Sequence, residues 1–253
     1  MSDRLLVVSA TLLEVAPSLQ RETGVAYEGV GLPGSLIEGS TCDFLITGVG
    51  QLLCGVHLTR ALATGRYTQV LQVGIGGSFD PSLGRGAVAV IIEEALADLG
   101  AEDNGAFLDI FHMGLLKRDE VPFSDGILSA PVLELFTLKD LPRVRSVTVN
   151  RVLSEERSIA WVRSQYRPQV VNMEGAALFY SCLLAGISFV SLRAISDMVG
   201  PRDKSSWDIP GAVGALDRVV KPLVSELTAG FGGGVCRSVG ASTQQNAPVS
   251  GSR

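Results

Sequence analysis

The sequence predicts an α/β fold, a three-layer αβα sandwich with a central mixed, mostly parallel twisted sheet. Apolar runs of strand length alternate with amphipathic stretches of helix length from residue 4 to residue 228, an order typical of a parallel sheet with helices on both faces. The 253 residues are 46% hydrophobic, which suffices for one sizeable core. We expect a single domain over residues 1–229. The Gly/Ser/Gln-rich composition of 230–253 predicts a disordered tail.

The strand predictions rest on short apolar, β-branched runs bounded by glycine or polar residues. These runs fall at 4–10, 42–50, 67–77, 86–100, 144–150, 169–172 and 187–196, and the second and third of them end in glycine turns.

The helix predictions rest on apolar residues that recur at helical spacing. They cover 11–21, 52–63, 154–165, 174–186 and 212–228. Residues 101–143 follow neither period, which predicts an excursion from the sheet or a lid.

Composition argues against several classes of function. The net charge is −5 without a cluster of Lys and Arg, so nucleic acid is not an expected partner. No apolar run approaches the roughly 18 residues of a membrane span, and the chain starts directly with a strand-like run where a secreted protein has a signal peptide. We therefore expect a cytoplasmic protein with no membrane partner. Charged residues are only 19% of the chain, which favours a homo-oligomer, dimer or higher, that hides further surface.

No metal or cofactor is predicted. The four cysteines lack CxxC spacing, and His57 and His112 are far apart, so neither a zinc site nor a Ser-His-Asp triad is expected. The run GIGGSF at 74–79 begins like a dinucleotide fingerprint but lacks the final glycine. Neither a Walker A motif nor a nucleophile elbow occurs in the sequence.

Polar and glycine residues stand where the predicted strands end, which is where ligands collect in such sheets. They fall at 9–14, 47–51, 73–79, 171–175 and 196–197. Each point also has a structural interpretation. Glu14 can close a capping box with Thr11. Glu174 suits a helix N-terminus, Asp197 suits a turn, and the glycines suit tight turns. The residues alone leave both interpretations open.

Taken together, these points resemble a known family. The motifs NMEGAAL and LRAISD, preceded by ATLLEV, TGVG and GIGG, are similar to those of the nucleoside phosphorylase/nucleosidase superfamily over roughly residues 4–228. The segments DMVGPRDKSSWDIP and MGLLKRDEVPF resemble its hydrolytic futalosine hydrolase branch. The resemblance implies hydrolysis of the N-ribosidic bond of futalosine, releasing hypoxanthine and dehypoxanthine futalosine, on a bacterial route to menaquinone. A nucleoside is then the small-molecule partner, and no cofactor is needed.

The resemblance also assigns roles to three carboxylates. Asp197 matches the general acid that protonates purine N7, and Ser196 would orient it. Glu174 matches the residue that grips the ribose hydroxyls and favours the cationic ribosyl group. Glu14 matches the general base for water, on the side of the sugar opposite the acid. The resemblance also implies substrate contacts. Met173 would pack under the ribose, and the strand-end residues Val149 and Asn150 would bind the base. Gly76 and Arg193 are two further implied contacts.

The sequence departs from the phosphorolytic relatives in a way that favours water over phosphate. Those relatives bind phosphate with arginines and a serine. In this sequence the residue after Gly74 is Ile75, which has no hydroxyl, and the early turn offers the acidic Glu14 and no arginine. Arg85 and Arg193 remain as possible anion contacts.

Other functions stay open at this point. The nearest is a nucleosidase for methylthioadenosine, S-adenosylhomocysteine or aminodeoxyfutalosine, which would share the ribosyl chemistry. We expect residues 101–125 and 198–210 to decide between these substrates. A non-catalytic nucleoside-binding protein would need no general acid, and a dinucleotide-dependent oxidoreductase would need the missing fingerprint.

Overall fold

The computed structural model describes residues 4–104, 106–201 and 203–229. The predicted tail lies outside these residues. The strands are β1 Leu5–Ser9, β2 Ser35–Glu38, β3 Cys42–Ile46, β4 Gln69–Ser78, β5 Val88–Leu96, β6 Gly100–Asp103, β7 Ala106–Asp109, β8 Leu128–Ser129, β9 Arg143–Thr148, β10 Val170–Asn172 and β11 Ser188–Met198. The helices are α1 Leu12–Thr23, α2 Gln51–Leu62, α3 Glu156–Tyr166, α4 Gly175–Ala185 and α5 Ile209–Ala229, with short 3-10 turns at Phe136–Leu138 and Lys204–Ser206.

A mixed sheet forms the centre of the molecule. In the described part of the chain it contains nine strands, in the order β10-β9-β5-β11-β4-β1-β3-β2 with β8 beside β5. Five of the strand pairings are parallel and four are antiparallel. Strands β6 and β7 form a separate two-stranded hairpin. The prediction of a mixed, mostly parallel sheet is confirmed.

Helices cover both faces of this sheet, as the sandwich prediction requires. The strand β1 shows the arrangement, because successive side chains of a strand point to opposite faces. Leu5 and Val7 belong to the core that includes residues of α1 and α5, whereas Leu6 and Val8 belong to the core that includes residues of α2 and α4. Burial on both faces explains why the strands are continuous apolar runs.

Part of the sheet closes on itself, which the sequence did not predict. The short strand β10 pairs with β9 on one side and with β4 on the other, so β4, β11, β5, β9 and β10 form a ring. The antiparallel closure joins Val170 to Ser78 and Val171 to Gly77. The ring places Gly77 of β4 beside Val171 of β10 and Asp197 of β11, and Asn172 of β10 beside Thr148 of β9.

The predicted glycine turn at 74–77 is wrong, because β4 continues through these residues to Ser78. Close packing against the strand explains these glycines. A Cβ at Gly74 would lie 3.0 Å from Glu14 Oε1, and a Cβ at Gly76 would lie 2.8 Å from the Val171 carbonyl oxygen. The strands β2 and β8 and the hairpin β6–β7 were not predicted, and α5 begins at Ile209, three residues before the predicted start.

Candidate active site

A cavity with mostly apolar walls lies beside Gly77, Val171 and Asp197 of the ring. Its volume is about 330 Å³, within the range of roughly 300–1,000 Å³ that small-molecule sites occupy. Seven of the nine predicted site residues line it: Glu14, Gly76, Val149, Met173, Glu174, Ser196 and Asp197. Three of these seven are carboxylates, which the fold gathers from α1, β11 and the start of α4.

Glu14 serves the helix cap and the cavity at once. Its Oε2 atom accepts hydrogen bonds from the backbone N–H of Thr11 at 2.9 Å and from Ser9 Oγ at 3.0 Å. Its Oε1 atom accepts one from the backbone N–H of Ile75 at 3.1 Å. The capping interpretation and the site interpretation of Glu14 therefore hold together, since the same bonds that cap α1 also hold the carboxylate at the cavity wall.

Glu174 is the N-cap residue of α4 and is only 9% exposed. The backbone N–H of Gly50, at the start of α2, donates to its Oε1 at 2.9 Å. Burial raises the pKa of Glu174, and the charge of Glu14 adds to this rise, whereas the Arg193 guanidinium and the Gly50 N–H oppose it. A buried carboxylate here is therefore balanced by one neighbouring cation.

Asp197 lies at the end of β11, just after the irregularity in its pairing with β4. Ser196 Oγ donates to its Oδ1 at 2.7 Å, which is the contact that an orienting role for Ser196 requires. Burial raises the pKa of Asp197, and the Ser196 hydrogen bond offsets part of the rise. Gly77 leaves room for the carboxyl, because a Cβ at that position would lie 3.2 Å from Oδ2.

Two predicted residues lie outside the cavity lining. Arg193 is 1% exposed and donates to the Leu192 carbonyl oxygen at 3.0 Å and to Asn172 Oδ1 at 3.3 Å. Its positive charge lowers the pKa of the Glu174 carboxyl, so Arg193 acts on the site from behind the cavity wall. Asn150 is exposed, and its Nδ2 donates to Asp98 Oδ1 at 3.0 Å.

Sequence reasoning missed a buried carboxyl close to the site, Glu94 on β5. It is fully buried and accepts a hydrogen bond from Thr148 Oγ1 at 2.8 Å and one from Asn172 Nδ2 at 3.0 Å. Burial raises its pKa to about 7. The signal available in the sequence was an acid inside a β-branched run. The structure shows why Glu94 is the inward-facing acid of the pair, because its neighbour Glu93 pairs with Arg145 at the surface.

The rest of the wall is mostly apolar. Several of its side chains come from residues 198–210, which end β11 and lead into α5 and which we expected to select the substrate: Met198, Val199, Pro201, Trp207 and Ile209. From the other expected segment, 101–125, none of the described residues reaches the cavity wall.

Across the described ranges, no group of three or more His, Cys, Asp or Glu could hold a metal ion, and no described helix is long and apolar enough to cross a membrane.

Comparison with known proteins gives consistent matches over nearly all of the described chain. The model of the phosphorylase superfamily matches residues 5–225. A futalosine hydrolase from Thermus thermophilus is 31% identical over 227 residues, which are 87% of this chain and 95% of that protein. Two solved structures share the fold. The futalosine hydrolase of Helicobacter pylori has a TM-score of 0.72 at 18% identity and covers 89% of this chain and 99% of its own. The 5′-methylthioadenosine/S-adenosylhomocysteine nucleosidase of Colwellia psychrerythraea, in complex with adenine, has a TM-score of 0.69 at 19% identity. The match covers 90% of this chain and 96% of the nucleosidase chain.

Proposed function

The chain belongs to the phosphorylase superfamily, and on that premise we propose that it is an N-glycosyl hydrolase that cleaves the N-ribosidic bond of futalosine. The products are hypoxanthine and dehypoxanthine futalosine, which places the reaction in menaquinone biosynthesis. One observation carries the hydrolytic assignment. The cavity gathers Glu14, Glu174 and Asp197, while none of its described lining residues is Arg, Lys or His.

Asp197 supplies the proton that the leaving purine needs. Breaking the bond leaves the base electron-rich, and a protonated carboxyl can transfer its proton to N7 as the bond lengthens. Burial raises the pKa of Asp197, so the acid form persists to higher pH than for an exposed aspartate. The Ser196 hydrogen bond holds one carboxyl oxygen and leaves Oδ2 for the base.

Glu174 stabilises the sugar as it becomes cationic. The carboxylate is held by the N–H of Gly50 at one oxygen, and a fixed negative charge in a poorly solvated site favours an oxocarbenium-like ribosyl group. Met173 precedes it in the wall and packs under the ribose in this proposal.

Glu14 activates the attacking water. Its two oxygens are held by backbone and hydroxyl donors, so the carboxylate is oriented before substrate binds. A phosphate ion would meet the negative charges of Glu14 and Glu174 with no cation in the described wall to offset them. Of the two candidate anion contacts, Arg85 donates to the Ser206 carbonyl oxygen at 2.6 Å, and Arg193 is buried outside the lining. Water is therefore the nucleophile that the site favours.

A second candidate is a nucleosidase for methylthioadenosine or S-adenosylhomocysteine. The observation in its favour is the apolar wall formed by residues 198–210, which includes Met198, Trp207 and Ile209 and would suit a small thioether. The same wall suits the phenyl ring of futalosine, and the identity to the Thermus relative favours the latter substrate.

The test is a purine-release assay on futalosine, aminodeoxyfutalosine, methylthioadenosine and inosine, each with and without phosphate. We expect kcat/KM for futalosine at least about tenfold above that for methylthioadenosine, a difference of roughly 1.4 kcal/mol in transition-state binding. Equal or reversed preference assigns the chain to the second candidate. A rate that saturates with phosphate and yields ribose 1-phosphate overturns hydrolysis, and release of no purine favours a nucleoside-binding protein.

We infer in addition that the chain forms a homo-oligomer. Apolar side chains are exposed on the adjacent helices α2 and α4, namely Leu52, Val56 and Leu184 at 78%, 48% and 57%, and such patches on a soluble surface favour association. Sedimentation equilibrium distinguishes this from a monomer. The cytoplasmic location expected from the sequence stays an expectation.

A further inference from the structure

A network of buried polar side chains lies behind Glu174. Its member Asn172 reaches the cavity wall, whereas Glu94, Thr148 and Arg193 do not. We propose that Glu94 is a positioning residue for the reaction, because it holds Asn172 and Thr148 in the one arrangement that fixes the start of α4 and thereby Glu174. The role of Glu174 in this proposal rests on the proposed function.

Glu94 cannot be explained as a surface charge. It is 0% exposed on the central strand β5, and burying an ionisable group without partners is costly. Its two oxygens have different partners. Oε1 accepts from Thr148 Oγ1 at 2.8 Å, and Oε2 accepts from Asn172 Nδ2 at 3.0 Å. Both partners then lead to the same helix terminus.

The first route runs through the Asn172 amide. Its Nδ2 donates to Glu94 Oε2 and to Ser146 Oγ at 2.8 Å, which uses both hydrogens of the amide. Its Oδ1 consequently faces the helix, where it accepts from the backbone N–H of Glu174 at 2.9 Å and of Gly175 at 2.6 Å. An ionised carboxylate accepts hydrogen bonds and donates none. Glu94 therefore binds the NH₂ end of the Asn172 amide and leaves its oxygen for the helix.

The second route runs through the Thr148 hydroxyl. Because its hydrogen is committed to Glu94, its oxygen lone pair is free to accept the backbone N–H of Ala176 at 2.7 Å. The first N–H groups of a helix have no partner within the helix. Through Asn172 and Thr148, the single carboxylate of Glu94 organises the acceptors for three consecutive N–H groups that begin with that of Glu174 itself.

Gly175 shows that the close approach is built into the sequence. A Cβ at this position would lie 2.2 Å from Glu94 Oε2, so only glycine lets the helix start against the carboxyl. Arg193 completes the arrangement, since its Nη2 donates to Asn172 Oδ1 at 3.3 Å and its charge lowers the pKa of both Glu94 and Glu174. A displacement of about 1 Å at a catalytic group costs on the order of 10²-fold in rate, which gives such positioning its value.

The kinetic test is a double-mutant cycle between Glu94→Leu and Glu174→Gln. Leu accepts no hydrogen bond, so the Asn172 amide is released, and we expect kcat to fall by about 10- to 100-fold while KM stays within about threefold. In the Glu174→Gln background the same change should cost less than about threefold, because the group being positioned is already disabled. Equal losses in both backgrounds overturn the proposal and leave Glu94 a purely structural residue.

Two further variants guard against a fold effect. Glu94→Gln presents an oxygen to Asn172 and an amide to Thr148, whose hydroxyl can accept, so it should keep kcat within about threefold of wild type. Loss as large as in the Leu variant contradicts the network. Glu93→Leu is the matched control on the same strand, because Glu93 pairs with Arg145 at 2.6 Å in place of Asn172, and kcat should be unchanged.

Hydrogen exchange provides a readout that does not depend on activity. Glu94→Leu should speed exchange of the Glu174, Gly175 and Ala176 amides by about tenfold or more relative to those in the middle of α4, and Glu94→Gln should do so less. Unchanged exchange in the Leu variant overturns the proposal whatever the substrate. If wild type releases no purine from futalosine, the proposed function fails, and the cycle is run on whichever nucleoside it cleaves, while exchange still tests Glu94.

Discussion

At the scale of single residues, two carboxyls of the site have different neighbours, which act differently on their pKa values. Burial raises the pKa of both Glu174 and Asp197. The Arg193 guanidinium opposes the rise at Glu174, whereas Asp197 has only the Ser196 hydroxyl. The proposed chemistry needs this asymmetry, because one group must give a proton while the other must hold a charge. Where the environments of two titratable groups move their pKa values apart, one group can act as an acid while the other stays ionised.

The first prediction concerns Asp197. Asp197→Asn should lose about 10²–10⁴-fold on futalosine, the usual range for general acid catalysis. It should lose much less on a nitrophenyl riboside with the same 5′ group, because that leaving group departs without a proton. The comparison is kcat/KM on the two donors, with Glu14→Gln as the control that should slow both, since water must be activated in either case.

The same variant should change the pH profile. The acid form of Asp197 is the active one, so its titration should give kcat/KM a basic limb, a fall as pH rises through the raised pKa of Asp197. Asp197→Asn should remove this basic limb. Equal losses on both donors with the basic limb intact would show that the proton comes from another group.

The second prediction concerns Glu174. Glu174→Gln keeps the side-chain shape and the acceptor for Gly50 but removes the charge, so kcat should fall by about 10²-fold or more. If Glu174 served only the helix start, activity would survive and the unfolding free energy would fall by roughly 0.3–1 kcal/mol. Steady-state kinetics and urea unfolding of the same preparation distinguish the two cases.

At the scale of elements, β4 shows how glycines can mark close packing in place of a turn. Its GIGG segment stays extended while Glu14, Val171 and Asp197 approach the strand where side chains would stand. Sequence patterns for a glycine turn and for a glycine-rich strand are alike. Only the three-dimensional neighbours distinguish them.

The third prediction tests this packing. Gly76→Ala places a Cβ 2.8 Å from the Val171 carbonyl oxygen and 3.1 Å from Val170 Cγ1, so β10 must move away from β4. We expect the unfolding free energy to fall by about 1–3 kcal/mol and kcat to fall with it, because Met173 and Glu174 follow β10 directly. Gly84→Ala is the control, since nothing lies within 4 Å of its Cβ. Equal stability of the two variants would show that the ring closes without this contact.

Periodicity predicted the elements well where each is long and self-contained. The helices α1, α2, α3 and α4 begin within about two residues of their predicted starts, because their apolar faces repeat. Ring closure was not predictable in this way, since it depends on β10, which has three residues and pairs with strands distant in sequence. Seven of the residues that line the cavity were predicted from motifs. Glu94 was missed because its hydrogen-bond partners lie in β9 and β10, far from it in the sequence.

At the scale of the whole molecule, perturbed carboxyls divide into two groups. Burial raises the pKa of Glu94, Glu174 and Asp197 around the site. Away from the site, ion pairs lower the pKa of others, such as Asp43 beside Arg4. The second group stabilises the fold above the pKa of unfolded aspartate and loses this contribution as pH falls. The first group acts in the opposite direction, so maximum stability should lie on the acidic side of neutrality.

The last prediction isolates Glu94 within this balance. Its pKa is raised to about 7 from 4.5, so between these values the folded protein binds more protons than the unfolded chain, and stability must fall as pH rises through that window. Glu94→Gln cannot titrate and should lack this fall. The unfolding free energy of wild type relative to Glu94→Gln should therefore drop by about 1–3 kcal/mol between pH 5 and pH 8. Urea unfolding at one-unit pH intervals measures it, with Glu93→Gln as a control from the same strand that should follow wild type. Parallel curves for wild type and Glu94→Gln would mean that Glu94 keeps one protonation state across the whole range.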